Sequence, residues 1–210
     1  RGQPAPRAVL LHGSGDRGLT MIEAFQSLAD RYGVILLAPD SIEYSWDTMV
    51  RAAHLRGVKR VPKPGADRER IEDALKRVVA DYSVDAGRIA LIGFSDGAGY
   101  GLSLGTNNAA IFPDVIAFAP GLLTKVEGEA RGRVMLVHGT KDTVLPVDPT
   151  RDVFAPALED LGFDVRPELF EGRHEMPKAL REKAFDWWLG SRRARPDSYS
   201  AAASTRSAAR

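Results

Sequence analysis

The chain contains no cysteine in 210 residues, which excludes disulfide scaffolds, Cys-ligated zinc, iron–sulfur clusters and a thiolate nucleophile. It also lacks a surplus of either charge. Its 29 Lys+Arg face 28 Asp+Glu for a formal net charge of +1, which argues against a broadly basic nucleic-acid binder. No apolar run approaches the roughly 20 residues needed to span a bilayer. What remains is 44% hydrophobic residues, enough for the core of one ordinary α/β domain and too short a chain for a second full one. The charge is unevenly placed. The segment 191–210 holds five arginines and one acid, Asp197, leaving 24 basic and 27 acidic residues in 1–190. That Ala/Ser/Arg-rich tail has no apolar period and is expected to be disordered, with the folded domain confined to 1–190. The chain starts at Arg1 rather than Met. A cytoplasmic location is expected, with secretion after removal of a signal left open.

Short apolar runs punctuate 1–190: Ala8–His12, Val34–Ala38, Arg88–Gly93, Val115–Phe118, Val134–Val137 and Val165–Phe170. The first five are unbroken, as in strands buried on both faces. The sixth alternates and contains Pro167, which suits an edge strand. Helical spacing lies between them, at Met21, Phe25, Leu28 and Tyr32, at Ile71, Leu75, Val78, Val79 and Tyr82, and at Val153, Ala157, Leu158 and Leu161. A last helix starts near Pro177 and runs through Trp187–Trp188. Alternation of this kind predicts a mostly parallel sheet of about six strands with helices on both faces. Residues 41–66, with Pro62 and Pro64, read as a long irregular loop.

Two Gly-rich segments compete for the chemistry. The turn after the first strand, His12 to Gly18, matches G-x-G-x-x-G at Gly13, Gly15 and Gly18, and Asp40 ends the second strand. Strand, glycines, helix and a distant acid are the parts of a dinucleotide site. The second segment is Gly93-Phe94-Ser95-Asp96-Gly97, a G-x-S-x-G directly after a strand and before the small-residue helix Ala98–Gly105. In that setting the motif reads as a nucleophile elbow, which lifts the Ser95 hydroxyl out of the sheet on a sharp turn.

A serine hydroxyl needs a neutral imidazole to take its proton, and the imidazole needs a carboxylate to fix its tautomer. In elbow-type enzymes the order is Ser, acid, His. The chain has four histidines, at 12, 54, 138 and 174. His12 belongs to the Gly-rich turn and His54 is expected to be solvated. His138 ends a strand and orders the loop beyond it. His174, between the final strand and the final helix, has the place required of the base. Asp142 follows the strand Val134–Val137 most closely; Asp148, Asp152 and Asp164 are its rivals.

On HGSGDRG (12–18), SWDT (45–48), VDAGRIALIGFSDGAG (84–99), HGTKDTVLP (138–146) and GRHEMP (172–177), the chain resembles the α/β-hydrolase superfamily. It is most similar to the small serine esterases of the phospholipase/carboxylesterase, acyl-protein-thioesterase-like kind, and also to compact esterases related to polyhydroxyalkanoate depolymerases. The resemblance runs from about Ala8 to Leu189 and implies a minimal α/β-hydrolase fold. It further implies an oxyanion hole made by the backbone N–H groups of Ser14 and Asp96. Many relatives read GFSQGG where this chain has GFSDGA, so the Asp96 carboxylate beside a developing oxyanion has to point away or be paired.

Only Ala119–Gly132 separates two strands where larger relatives carry a lid, so no lid domain is expected. The site is expected to be open, with Leu19, Trp46 and Leu145 as candidate lining residues, while Met21 suits the helix core. The expected function is hydrolysis of small or medium soluble carboxylic esters (EC 3.1.1 type), with no metal, no organic cofactor, no nucleic-acid partner and no membrane span. A thioesterase or small-amide peptidase on the same triad, a non-catalytic hydrolase-fold binder and a nucleotide-binding protein are the competing expectations.

Overall fold

The computed structural model describes residues 3–54, 62–127 and 132–190. The expected disordered tail, 191–210, lies outside them. Six strands form one sheet: β1 (Ala5–Leu11), β2 (Ile35–Leu37), β3 (Val84–Phe94), β4 (Asp114–Phe118), β5 (Arg133–Gly139) and β6 (Asp164–Phe170). The order is β2-β1-β3-β4-β5-β6, with every neighbouring pair parallel. The unbroken apolar runs explain this. Leu10, Leu91, Ile116 and Leu136 are fully buried, as central parallel strands covered on both faces require. β6, with Pro167, is an edge strand, as expected from its alternation.

Helices α1 (Gly18–Tyr32) and α6 (Lys178–Gly190) cover one face, where Met21, Phe25, Phe185 and Trp188 pack on Ala8, Leu10 and Ile92. Helices α2 (Asp47–His54), α3 (Ala66–Asp81), α4 (Asp96–Thr106) and α5 (Ala155–Asp160) cover the other, on Val9, Leu11 and Leu91. The chain reverses its direction of winding between β1 and β3, and open α/β sheets form their sites at such a switch, beyond the strand carboxyl ends. Register does the rest. Leu11 pairs with Gly93, so the His12–Gly18 turn and the elbow leave the sheet side by side. Gly139 pairs with Phe170, so the loops carrying Asp142 and His174 also leave together.

Three expectations need correction. The segment 41–66 is not wholly irregular, since it contains α2. Among its described residues the buried apolar side chains of regular helix spacing are Trp46 and Val50, too short a stripe to register as a period. His54 is the last residue of α2, and its side chain lies outside the described part. On α3, Val79 and Tyr82 are exposed and Ile71 and Leu75 carry the packing. Before α5, residues Thr150–Phe154 wind as a π-helical turn. A π turn inserts one residue into the helical phase; Val153 therefore faces solvent while Phe154 and Leu158 are buried.

One buried side chain is an expense to the fold. Arg7 of β1 is 2% exposed, and its Nε and Nη1 reach no hydrogen-bond partner among the described residues. Desolvation holds its guanidinium below the usual arginine range. Replacement by an apolar residue of similar reach removes the unsatisfied donors and keeps the packing. Arg7→Met is expected to stabilise the protein by about 1–3 kcal/mol, the cost of burying unsatisfied polar groups, read as a higher midpoint in urea unfolding. A lower midpoint would mean that Arg7 is held by interactions stronger than its desolvation.

Candidate active site

Ser95 sits between β3 and α4 with φ 55° and ψ −120°, a positive-φ conformation that is strained for a residue with a Cβ. Such strain persists only where the surroundings over-determine it. Here the Ser95 N–H donates to Phe118 O (2.9 Å), and the Ser95 carbonyl accepts from the N–H groups of Ala98 (2.9 Å) and Gly99 (3.0 Å). The flanking glycines are required by close approach. A Cβ on Gly93 would lie 2.2 Å from Gly97 O, and one on Gly97 would lie 2.2 Å from Leu11 O. The strand-turn-helix context read from the sequence thus has a steric basis.

The other two side chains arrive from the far edge of the sheet. The loop after β5 is closed by Asp142 N–H to Gly139 O (3.2 Å), and it is tied to the loop after β6 by Lys141 N–H to Gly172 O (2.9 Å). A Cβ on Gly139 would lie 2.4 Å from Arg173 O, so glycine is what lets the two loops pack together. His174 Nδ1 lies 2.6 Å from Asp142 Oδ2, and His174 Nε2 lies 2.9 Å from Ser95 Oγ. A carboxylate only accepts, so Nδ1 carries the ring proton and Nε2 is free to accept from the serine hydroxyl. The Phe94 ring braces the imidazole, with centroids 4.9 Å apart.

Asp142 has a buried side chain. Burial pushes its carboxyl up. The hydrogen bond from His174, those from the Leu145 and Val144 N–H groups (2.8 Å each) and the nearby imidazole outweigh burial, holding the carboxyl below the usual range. Of the candidate acids, it is the one that the structure brings to His174. Its rivals point elsewhere: Asp148 and Asp152 pair with Arg151 at the surface, and Asp164 starts β6 at the opposite end of the sheet.

Above Ser95 the Gly-rich turn is held from several sides. Gly15 N–H donates to Tyr44 O (2.6 Å), and Trp46 Nε1–H donates to His12 O (2.8 Å). His12 donates from Nδ1 to Gly13 O (2.7 Å) and accepts at Nε2 from Ser41 N–H (3.0 Å). Ser14 N–H and Asp96 N–H donate to no acceptor among the described residues, leaving two main-chain donors free beside the elbow. The Asp96 carboxylate is paired, accepting from the Ser45 hydroxyl at 2.6 Å. Asp40 is spent on the α1 terminus, accepting from Gly18 N–H at 2.7 Å. The acid that a dinucleotide ribose would need is thus already engaged.

Of the lining candidates, Leu19 is 65% exposed beside the turn, and Leu145 is half-buried beyond Asp142. Trp46 does not line an open site. It is fully buried, stacked on Tyr100 and packed against His12, and supports the turn from beneath. A large aromatic with a buried N–H finds a partner wherever the fold supplies one, and here the partner is a carbonyl of the core. Tyr44, Ser45 and Phe94 were not singled out from the sequence. Phe94 lies inside the G-x-S-x-G and Ser45 inside SWDT, but nothing in either motif pairs Ser45 with Asp96 across 51 positions. A cavity of about 400 Å³ lies along the outer face of α4, between Asp47, Arg68, Tyr100 and Asn107. None of the three aligned side chains lines it, and Asp47, Ser103 and Asn107 spend their hydrogen bonds within its walls. Among the described residues no cluster of His, Asp or Glu could hold a metal ion, and no helix is long and apolar enough to cross a membrane.

No curated protein matches the sequence. Similar solved structures include esterase PE8, with 22% identity and a TM-score of 0.67 over 90% of this chain and 94% of that one. A Bacillus cereus carboxylesterase is 18% identical with a TM-score of 0.67, covering 89% and 88%. The acyl-protein thioesterase 2 of Zea mays is 17% identical with a TM-score of 0.61, covering 90% and 95%. At these identities the likeness shows the α/β-hydrolase fold. The phospholipase/carboxylesterase family model matches residues 1–184. With a matched span that includes both Gly-rich turns and the loops of Asp142 and His174, the chain belongs to the phospholipase/carboxylesterase family of α/β hydrolases.

Proposed function

We propose that the protein hydrolyses small or medium soluble carboxylic esters through an acyl-enzyme, with Ser95 as nucleophile, His174 as base and Asp142 as the acid that orients it. The observation that carries this is the line Ser95 Oγ–His174 Nε2–His174 Nδ1–Asp142 Oδ2, at 2.9 and 2.6 Å. Ser95 Oγ attacks the carbonyl carbon while its proton passes to His174 Nε2. The Ser14 and Asp96 N–H groups receive the negative oxygen of the tetrahedral intermediate. Two such preorganised donors are worth several kcal/mol, since losing one costs about 10²–10³ in rate. Nε2–H then protonates the departing alcohol, and water repeats the sequence on the acyl-enzyme. The Ser45 hydroxyl, by holding the Asp96 carboxylate, reduces its repulsion of the oxyanion.

The wall of the site supports an open mouth. Leu19, in the first turn of α1, and Val144, in the loop after β5, stand 65% and 64% exposed, and the short β4–β5 connection leaves little chain for a lid. Monomeric p-nitrophenyl acetate and butyrate are therefore expected to be turned over without a lipid interface. Strong turnover of micellar laurate with none of the short esters would contradict the open site. Matched ester, thioester and amide substrates rank the bond. The base must be neutral, so kcat/KM is expected to rise with pH through the range where imidazoles lose their proton. A flat profile from about pH 5 to 9 would remove His174 as base.

A further inference from the structure

Asp142 is touched by two imidazoles. His138, the penultimate residue of β5, is fully buried. Its Nε2 lies 2.9 Å from Leu145 O and 3.3 Å from Asp142 Oδ2, the same oxygen that faces His174 Nδ1. The Leu145 carbonyl only accepts, so Nε2 carries a proton donated to it, and the Asp142 oxygen lies beside that N–H at ion-pair distance. Its Nδ1 lies 2.8 Å from Thr150 Oγ1, a hydroxyl that also lies 3.4 Å from Pro120 O. The hydroxyl donates to Nδ1 when the ring is neutral. It can turn to the Pro120 carbonyl and accept from Nδ1–H when the ring is charged, so the ring keeps its partners in both states. Asp142 Oδ1 is meanwhile saturated by the Val144 and Leu145 N–H groups. Both imidazoles therefore act on Oδ2, His174 through a hydrogen bond at 2.6 Å and His138 through a contact at 3.3 Å.

We infer that His138 is a positioning residue of the Ser95–His174–Asp142 line, a second imidazole whose Nε2–H lies against the Asp142 oxygen that faces His174 and thereby moderates the basicity of the catalytic imidazole. The inference rests on the triad proposed above. Asp142 is the titratable side chain within ion-pair distance of the His138 ring, and His174 reaches it through that carboxylate. The neighbouring strands add no charge there. β4 ends in Phe118 and is followed by the Pro120 carbonyl, and β6 places Leu169 opposite His138. A carboxylate that loses a neighbouring N–H dipole acts more strongly on the imidazole that remains, and an opposite charge favours the protonated imidazole. Loss of the His138 N–H should thus make His174 a stronger base and move the acid limb of kcat/KM to higher pH.

The experiment compares pH–rate profiles of the wild type, His138→Leu and His138→Gln on one soluble p-nitrophenyl ester. The leucine removes the donor, and the glutamine returns an amide N–H near the place of Nε2. The expected result is an acid limb shifted upward by roughly half a unit to one unit in the leucine variant, the scale of one hydrogen bond to a charged group shared between two partners. The glutamine variant should return most of it. A lower kcat with an unmoved limb in both variants would reduce His138 to a structural part and overturn the inference. Should the leucine variant fail to fold, ¹⁵N-histidine NMR of the wild type decides. His138 is expected to be protonated at Nε2 at neutral pH, with a proton resonance that moves when a phosphonate occupies Ser95. An Nε2 without a proton, or a resonance indifferent to the adduct, overturns it as well. An enzyme whose activity survives Ser95→Ala would instead sink the triad itself, an outcome separate from an unmoved limb in a Ser95-dependent enzyme.

Discussion

Ser95→Ala is expected to lower kcat on p-nitrophenyl butyrate by roughly 10⁴-fold or more, the scale on which members of a working triad act as a unit. KM should change little, because the methyl keeps the elbow and leaves both oxyanion amides in place. The fold should survive. The Ser95 backbone is held by Phe118 O, Ala98 N–H and Gly99 N–H, and its hydroxyl faces only His174. Equal urea midpoints for wild type and variant, measured beside the rates, separate loss of chemistry from loss of structure. A fall of only a few-fold would mean that another group does the attacking.

Asp142→Asn should cost nearly as much, about 10⁴-fold in kcat, by reversing a tautomer rather than removing a reactant. The Val144 and Leu145 N–H groups claim Oδ1, so the asparagine carbonyl takes that side and its amide NH₂ faces His174. Nδ1 must then accept, the ring proton moves to Nε2, and the Ser95 hydroxyl loses its base. The same NH₂ opposes the His138 Nε2–H, which adds strain.

This substitution also carries a pH signature. Asp142 is held below the ordinary carboxylate range in the folded protein. Its stabilising contribution is thus complete above the unfolded value, near ~3.9 for aspartate, and is lost as pH falls through the folded value. Urea midpoints of the wild type should fall more steeply below about pH 4 than those of Asp142→Asn, which has no proton to bind there. Parallel acid slopes would show that Asp142 is not strongly held.

Those two residues and His174 were legible in the sequence because chain order, strand ends and residue type constrain them together. A buried parallel strand shows as an unbroken apolar run, so the sheet was legible too, down to the edge strand marked by Pro167. What escaped was chemistry made by distant pairing. Trp46 looked like a loop aromatic, yet its N–H is bound to His12 O and its ring lies in the core. The Asp67 carboxylate, raised by burial against the pull of its hydrogen bonds, accepts from the Ile42 and Asp47 N–H groups and so fastens the segment that carries Ser45. No periodicity announces a bond between residues 20 or 25 positions apart. Helix α2 was hidden for a related reason, since two turns with one buried pair do not establish a period.

The most direct test of the proposed chemistry is covalent. A fluorophosphonate phosphonylates a serine, with loss of fluoride, only where a base activates the hydroxyl and donors receive the charge that develops on the phosphoryl oxygen. Intact-mass analysis of the treated wild type is expected to show one adduct, mapped by peptide sequencing to Ser95 and absent from Ser95→Ala. A protein that stays unlabelled while folded, or carries its adduct on another residue, would contradict the assignment of Ser95, His174 and Asp142.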